Sequence, residues 1–445
     1  YSDNFKMFLS TKYPNPHYSP EVCSQVILIN FTTTQEGLSD LLMNNLIEVE
    51  RDDLDKKRIQ IMEANAANTK KLKEIEDEIL QIVSNAGSDI LDDNVAIDTL
   101  QRAQKTSANI EQQMAQSEKT EKQIAAFREK FSTVSDRAAL LYFCASDFAV
   151  VDPMYQFSLK WFVNIFKNAI QQSEHPTDQA ALIDAFHTSI ARQFYQSVSF
   201  SLFSRHKLLF STLMTIRILL EEGKVTTSEL AFILSPNPSK SKNEFSSWIS
   251  DDIWSLLSEL PNISPPFKTL IESIKTNTDE WKTYISSNTP ETDNIPGKLK
   301  LSPFEKLLLL RVCHLHRVRE GLRIFISETL GKEFVEPPAL NLGKVFKDSS
   351  PLSPLIFIIT PGIDPQDEII GVAQSMELDK YLKSYSLGRG RGKGAEELIE
   401  NAIQTGMWVL LQNCHLSLSW MPKLEYIIDN FKPEEVNPSF RICLV

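Results

Sequence analysis

Hydrophobic and polar positions divide the chain into three kinds of pattern. At the start, Phe5 to Thr11 and Ser24 to Thr32 are short apolar runs rich in β-branched residues, which predicts two strands around a Pro-rich loop, Tyr13 to Pro20. From Thr34 to about Phe131, apolar residues recur at three- and four-residue spacing, which predicts long amphipathic helices. From Phe346 onward, apolar runs alternate with helical stretches, which predicts parallel strands joined by crossover helices. The strands expected there are Leu355 to Ile359, Met407 to Leu411 and Ser439 to Val445. Between these regions the chain reads as helical.

The long helical pattern has a seam on each side of one break. The first seam is Leu54, Arg58, Ile61, Asn65, Asn68, Leu72, Ile75, Ile79 and Ile82. The second is Ile97, Leu100, Ala103, Ser107, Ile110, Met114, Ser117, Glu121, Ile124, Arg128 and Phe131. The break lies at Ser84 to Asp89. Two helices of similar length around a short break predict an antiparallel coiled-coil hairpin. Arms of about 30 residues at 1.5 Å each would be roughly 45 Å long. Asn65, Asn68, Ser107, Ser117 and Glu121 are poor knobs for such a seam. Polar seam residues lower stability and fix register. The pattern therefore fits either a marginal solvated coiled coil or an arm whose register or bend responds to force.

Asp136 to Gln171 is too apolar and aromatic to lie exposed, and Asp152-Pro153 should break it into two helices. Ser173 to Gln179 reads as a linker. Ala180 to Leu234 reads as helical, with Gly223 a C-cap, and Ser235 to Asn243 as a polar loop. A turn at Ile295-Pro296-Gly297 precedes a helix expected over Pro303 to Leu330. Glu336-Pro337-Pro338 reads as a rigid extended segment.

Composition narrows the function classes. The 445 residues are 42% hydrophobic and 23% charged, with a net charge of −12. Length of this order suits two or three globular domains. The acidic balance argues against a sequence-independent nucleic-acid binder, which needs a phosphate-neutralising surface. Five scattered cysteines include no Cys-x-x-Cys pair, so neither a disulfide frame nor a zinc site is expected. No apolar run approaches the ~20 residues of a membrane-spanning helix. The chain opens and closes inside expected strands, so it reads as an internal piece of a longer polypeptide.

Candidate chemistry concentrates near the end. Met407 to Leu411 has the unbroken apolar character of a central buried strand. In a P-loop ATPase such a strand ends in an acidic residue that holds Mg²⁺. Here it ends in Gln412 and Asn413, which lack the charge a hard cation prefers. Upstream, Leu355 to Ile359 is followed by Thr360-Pro361-Gly362-Ile363-Asp364-Pro365 and a helical pattern. That order is strand, turn, helix, but the Gly-x-x-x-x-Gly-Lys-Ser/Thr signature is missing. Two prolines remove backbone donors, and Asp364 would repel an anion. The site reads as a vestigial phosphate loop at Thr360, Pro361, Gly362 and Asp364, with vestigial acidic positions at Gln412 and Asn413.

Other candidates are weaker. Gly388-Arg389-Gly390-Arg391-Gly392-Lys393-Gly394 precedes a helix, where an anion would be welcome, but its spacing fits no phosphate fingerprint. It reads as a strand-to-helix turn with solvated charges; Arg389, Arg391 and Lys393 are alternatively contacts for an acidic partner. His314 and His316, two apart on an expected helix, would point apart and read as a surface or interface pair. Cys414 and His415 read as packing residues. No catalytic residue and no metal ligand is assigned.

Taken together, several stretches resemble the sixth AAA+ module of dynein heavy chains. They are Ser353 to Gly362, Ser386-Leu387-Gly388, Trp408 to Leu416 and Ser419-Trp420-Met421-Pro422. Lys12 to Tyr18 with Val26 to Thr32 resembles the last core strands of the fifth module, in the wording typical of axonemal chains. The fold class this implies is α/β with a large helical part: AAA+ modules, each a parallel-sheet core with a helical lid, and an inserted antiparallel coiled-coil hairpin. The implied organisation is residues 1–34 for the end of the fifth large subdomain and 35–135 for the hairpin, called the buttress. Residues 136–172 would be the fifth module's lid, 173–345 a helical connection, and 346–445 the truncated α/β core of the sixth module. Thr11 or Asn15 would stand at the polar sensor position of the fifth module. The hairpin tip, Asn85, Gly87, Ser88, Asp89, Asp92 and Asp93, would touch the microtubule-binding stalk.

The resemblance implies an ATP-driven motor of cilia and flagella, directed to microtubule minus ends. ATP and Mg²⁺ would bind in modules outside this segment and none within it. The implied partners are the microtubule, light and intermediate chains, and axonemal docking proteins, with no nucleic acid and no membrane. Two other readings of the residues stay open: an active P-loop ATPase with atypical motifs, and a non-motor coiled-coil scaffold.

Overall fold

The computed structural model describes residues 5–11, 17–53, 94–336 (apart from Lys240), 341–359, 364–388 and 390–445, with scattered residues between 56 and 80. They fall in two compact units, Tyr1–Pro338 and Ala339–Val445.

The expected opening strands do not form among the described residues. Residues 5–11 and 27–34 are irregular, and a short helix, Pro20–Gln25, lies between them. Their apolar side chains are open to solvent: Ile27 is 90% and Phe31 93% exposed. A strand needs a neighbour to pair its N–H and C=O groups. Among the described residues no strand ladder forms with these segments, so β propensity alone does not make them strands.

Thr34 ends the irregular stretch by accepting a hydrogen bond from the Gly37 N–H, which caps helix α1, Gln35–Glu50. Its buried stripe is Leu38, Leu42, Met43, Leu46 and Ile47. Every described residue between Asp52 and Leu80 is helical. Helix α2 then runs from Asn94 to Asp147, 54 residues without a glycine or proline. The helical pattern expected to end near Phe131 continues as one helix to Asp147. Nothing in the sequence breaks the backbone ladder at that point, and the apolar stripe carries on through Val134, Ala138, Leu141 and Ala145. Along the two seams, Asn68, Ile110, Ile124 and Phe131 are buried. Glu121 is exposed, and Arg128 reaches Asp40 (3.3 Å) and Asn44 on α1.

The break expected at Asp152-Pro153 is present. A 3-10 turn, Phe148–Val150, and a loop lead to α3, Leu159–Gln171, which Ser158 caps. After the linker, Asp178 caps α4, Gln179–Ser201, and α5 follows at Ser204–Glu221. Gly223 terminates α5 with φ +65°, and the Lys224 N–H reaches back to the Leu219 carbonyl at 2.9 Å. This is the left-handed closure that glycine makes cheap.

The expected helix over Pro303 to Leu330 is two helices, α6 (Pro303–Cys313) and α7 (Val318–Thr329). His314 breaks it, with φ −141°, and a 3-10 turn follows. Gly321 lets the pair close: a Cβ there would sit 2.2 Å from Leu310 Cδ2. One hydrophobic core runs through this whole unit, from Leu38 to Phe334. Phe162, Phe166, Phe186, Phe194, Phe210 and Trp281 are fully buried in it.

Among the described residues the second unit forms a four-stranded, all-parallel sheet in the order β1-β4-β3-β2. The strands are β1 (Leu355–Ile356), β2 (Leu382–Ser386), β3 (Trp408–Gln412) and β4 (Arg441–Leu444). The helices are α8 (Leu342–Asp348), α9 (Gln366–Ser375), α10 (Gly392–Thr405) and α11 (Met421–Asp429). β1 is shorter than the apolar run from Leu355 to Ile359 suggested: its ladder with β4 covers Leu355 and Ile356, and the Phe357 N–H adds one more bond to the Leu444 carbonyl at 2.8 Å. Alternation along β3 sends Trp408 and Leu410 to one face and Val409 and Leu411 to the other. The first face packs on Leu342, Phe346, Ile369 and Ala373; the second packs on Ala395, Ile399, Trp420 and Leu424. Leu342 and Phe346 thus tie α8 to the sheet.

Candidate functional site

In an open parallel sheet, ligands bind outside the carboxyl ends of strands where the connections part to opposite faces. Here α9, which follows β1, packs on the Trp408 and Leu410 face. The 3-10 turn and α11, which follow β3, pack on the other face. The carboxyl ends of β1, β4 and β3 therefore form the rim where a nucleotide would sit.

The polar groups on that rim bind one another. Gln412 Nε2 donates to Gln366 Oε1 at 2.6 Å, and Asn413 Nδ2 donates to Ser386 Oγ at 3.0 Å. Asn413 has φ +58°, a conformation that asparagine tolerates better than most residues, and it turns the chain straight out of β3. Asp364 is exposed, and its Oδ1 accepts the Gln366 N–H at 2.9 Å. Asp367 and Glu368 follow in the first turn of α9. Carboxylates there suit the helix dipole, but they place negative charge where a phosphate would have to approach. Thr360, Pro361 and Gly362 lie outside the described residues.

Neither Gln366 nor Ser386 stands out in the sequence as a site residue. They meet Gln412 and Asn413 across 46 and 27 residues, and no local motif announces such a pairing.

The Gly-rich turn is built for packing. Gly390 has φ +80°. A Cβ on Gly392 would lie 2.5 Å from Trp420 Cδ1, and one on Gly394 2.5 Å from Tyr385 Oη. Tyr385 Oη donates to the Arg391 carbonyl at 3.2 Å. Inside the first turns of α10, Glu396 accepts from Trp420 Nε1 (2.9 Å) and Lys423 Nζ (2.8 Å). Lys423, with Trp420, holds the Glu396 carboxyl below its usual range. Arg391 and Lys393 are exposed, and Arg389 lies outside the described residues.

The remaining candidates are placed as follows. His314 is buried, so it is not the surface histidine expected from the sequence; its Nε2 donates to the Tyr284 carbonyl at 3.0 Å, and burial lowers its pKa. Because it sits at a helix break, its ring meets that of His316 edge-on at 5.8 Å instead of pointing away. Cys414 opens a 3-10 turn after β3 and is half-buried, with burial raising its pKa. His415 is exposed, so it is not a packing residue. Burial pushes the Cys443 thiol in β4 up to about 12, which leaves it inert as a nucleophile. Thr11 is exposed; Asn15 and the tip residues Asn85, Gly87, Ser88, Asp89, Asp92 and Asp93 lie outside the described residues. Among the described residues no cluster of three His, Cys, Asp or Glu could hold a metal ion, and no helix is long and apolar enough to cross a membrane.

A parallel sheet with helices on both faces, joined to a large helical unit, is consistent with an AAA+ fold, and comparison with known proteins gives the same class. Residues 1–110 match the family described as the ATP-binding dynein motor region, and residues 350–445 match the dynein heavy chain region D6 P-loop domain. Dynein axonemal heavy chain 1 of Rattus norvegicus is 38% identical over 448 residues, which covers 100% of this chain and 10% of that protein. Dynein axonemal heavy chain 2 of Homo sapiens is 34% identical over 451 residues, with the same coverage. The dynein-1-beta heavy chain of the flagellar inner arm I1 complex of Chlamydomonas reinhardtii is also 34% identical over 451 residues, again with 100% of this chain and 10% of that protein covered. The chain belongs to the axonemal dynein heavy chains and spans about a tenth of the length of these relatives.

Proposed function

We propose that this chain is the part of an axonemal dynein heavy chain that closes the AAA+ ring and couples it to the microtubule-binding stalk, with a silent nucleotide site in the sixth module. The whole protein would be an ATP-driven, minus-end-directed microtubule motor of the ciliary or flagellar axoneme. Mg-ATP would bind and be hydrolysed in modules outside this segment. Light and intermediate chains and axonemal docking proteins would be its further partners.

The observation that carries the silent site is the sheet rim. Where a working ATPase needs a carboxylate for Mg²⁺, Gln412 is bonded to Gln366 and Asn413 to Ser386. Where it needs phosphate donors, Asp364, Asp367 and Glu368 stand instead. The test is photo-crosslinking of an azido-ATP in the intact motor, followed by peptide mapping. Label is expected only outside residues 339–445. Label on residues 357–366 or 408–416 would favour an active P-loop ATPase.

The mechanical half of the proposal rests on the helical unit. Residues 35–135 would form the buttress hairpin, with its tip at residues 85–93. Burial of Asn68 and Ile110, one from each seam, supports two arms packed together. Residues 1–34 would complete the fifth module's sheet, which accounts for their exposed apolar side chains. Disulfide trapping in the full motor tests the brace, with a cysteine at Asn85 or Ser88 and a scan of stalk positions. A preferred stalk position that changes with nucleotide is expected. One unchanging pair would make the hairpin a static brace, and no cross-link at all would remove the brace.

A further inference from the structure

The two chain segments that enter residues 52–94 leave the helical core in different ways. On the far side the connection is unbroken: α2 carries its outer residues and its buried residues on one helix. On the near side α1 stops at Glu50, and Arg51 leaves the helical conformation with φ −141° and ψ 62°. Its N–H still reaches the Ile47 carbonyl at 2.8 Å, and helical backbone resumes at Asp52.

Charge accounts for a break that no glycine or proline imposes. Glu48 and Glu50 lie at the C-terminal end of α1, where the helix dipole disfavours carboxylates. Two side chains from outside α1 meet them. Lys167 on α3 meets Glu48 at 2.8 Å, and His175 in the α3–α4 linker meets Glu50 at 3.0 Å. His175 is itself oriented by Nδ1 donating to the Ser173 carbonyl at 2.9 Å. Asp52 and Asp53 open the next helical run, where carboxylates are favoured. Lys56 pairs with Asp52 one turn on, at 2.6 Å. Arg51 binds Asp53 through Nε (3.0 Å) and Nη2 (3.2 Å). One side of Arg51 is thus latched to the core and the other begins an independent helix.

We propose that Arg51 is the hinge of the buttress: the first arm pivots there while α2 acts as a rigid lever continuous with the core. This deepens the mechanical reading given under Proposed function and rests on it. Two packed helices that are both rigidly continuous with one core can only bend together. A single articulated residue in one of them lets the arms shift past each other while the other helix keeps its ladder intact.

The test uses the intact motor. Arg51→Ala with Asp52→Ala and Asp53→Ala removes the charges that favour a break and gives the segment high helix propensity. The nucleotide-dependent change in tip-to-stalk trapping should be lost, and microtubule stimulation of the ATPase should fall about fivefold or more, with basal ATPase unchanged. Arg51→Gly, which keeps the break, should retain both responses. Equal stimulation and an unchanged trapping pattern in the triple-alanine motor would overturn the hinge. Hydrogen exchange on the unmodified motor keeps the question decidable if that variant misfolds. Amides 51–54 should exchange faster than those of 42–47; equal protection in every nucleotide state would overturn the hinge. Absence of any tip-to-stalk cross-link in the unmodified motor would defeat the buttress reading instead, and exchange at residues 51–54 would still report on the hinge.

Discussion

The helical unit and the sheet unit both contain polar side chains that bind each other, but at different depths. In the helical unit three such contacts lie inside the core. Trp281 Nε1 donates to Ser273 Oγ at 3.1 Å, Ser211 Oγ donates to the Phe334 carbonyl at 2.6 Å, and His314 bonds the Tyr284 carbonyl. These contacts pin helices to one another out of reach of solvent. In the sheet unit the contacts of Gln412 and Asn413 lie on the rim where a ligand would bind. The difference shows how the proposed silent site could be read: its polar residues Gln412 and Asn413 are bonded to Gln366 and Ser386 in the way core residues are.

The comparison breaks most visibly at the deep end. Trp281→Ala removes a fully buried ring and should cost about 3–5 kcal/mol, read from the helical transition in denaturant. Trp281→Phe keeps most of the volume but strands Ser273, and should cost about 1–3 kcal/mol. If both variants match the parent, the polar core is not holding these helices.

Within the sheet unit, the Gly-rich turn separates packing from ligand binding. Gly392→Ala forces a methyl against Trp420 and should destabilise the sheet by about 1–3 kcal/mol. Gly388→Ala meets nothing within 4 Å and should be neutral in the same unfolding assay. Equal effects at both positions would argue against a turn shaped by Trp420.

Rim contacts should be weaker. Gln412→Leu gives up one half-exposed hydrogen bond and should cost about 0.5–1.5 kcal/mol. Gln412→Glu restores a carboxylate, yet azido-ATP labelling of residues 357–366 and 408–416 should stay absent, since the approach to α9 remains acidic. Labelling gained by that one change would mean the site lacks only its metal ligand.

The smallest effect is a pH dependence in the helical unit. The Glu50 carboxylate, ahead of other influences, raises the pKa of His175. A raised folded-state pKa means the stabilisation is present below the unfolded value of about 6.5 and is lost as pH rises through the folded value. His175→Gln should therefore flatten a slight fall in stability as pH rises above about 6.5. The His175 side chain is 47% exposed, so the slope will be small.

Local signals carried much of this architecture. Thr34 as a cap, the break at Asp152-Pro153, Gly223 at a helix end and the buried strand near Met407 to Leu411 are all readable from neighbours in sequence. Features set by distant residues were not readable. Val26 to Thr32 has strand composition, but no described strand pairs with it, and composition cannot supply one. The continuity of α2 through residue 135 was hidden because a change in hydrophobicity was read as a change of element. Gln412 and Asn413 were legible as the wrong residues for Mg²⁺, while their partners Gln366 and Ser386 were not, because only the fold brings them together. His314 was misjudged for a similar reason: its backbone conformation, not its spacing, buries it.

Because α2 has no joint between Asn94 and Asp147, shortening it is a surgical problem. Any cut through the outer half leaves a raw helix start with four N–H groups lacking partners. Thr120, ahead of the core residues Ile124 and Phe131, could serve as the new first cap. An internal deletion that keeps α1 and resumes the chain at Thr120 should leave the helical core folded, whereas one that also removed Ile124, Phe131 or the leucines at 140 and 141 would take away side chains on which the neighbouring helices are assembled.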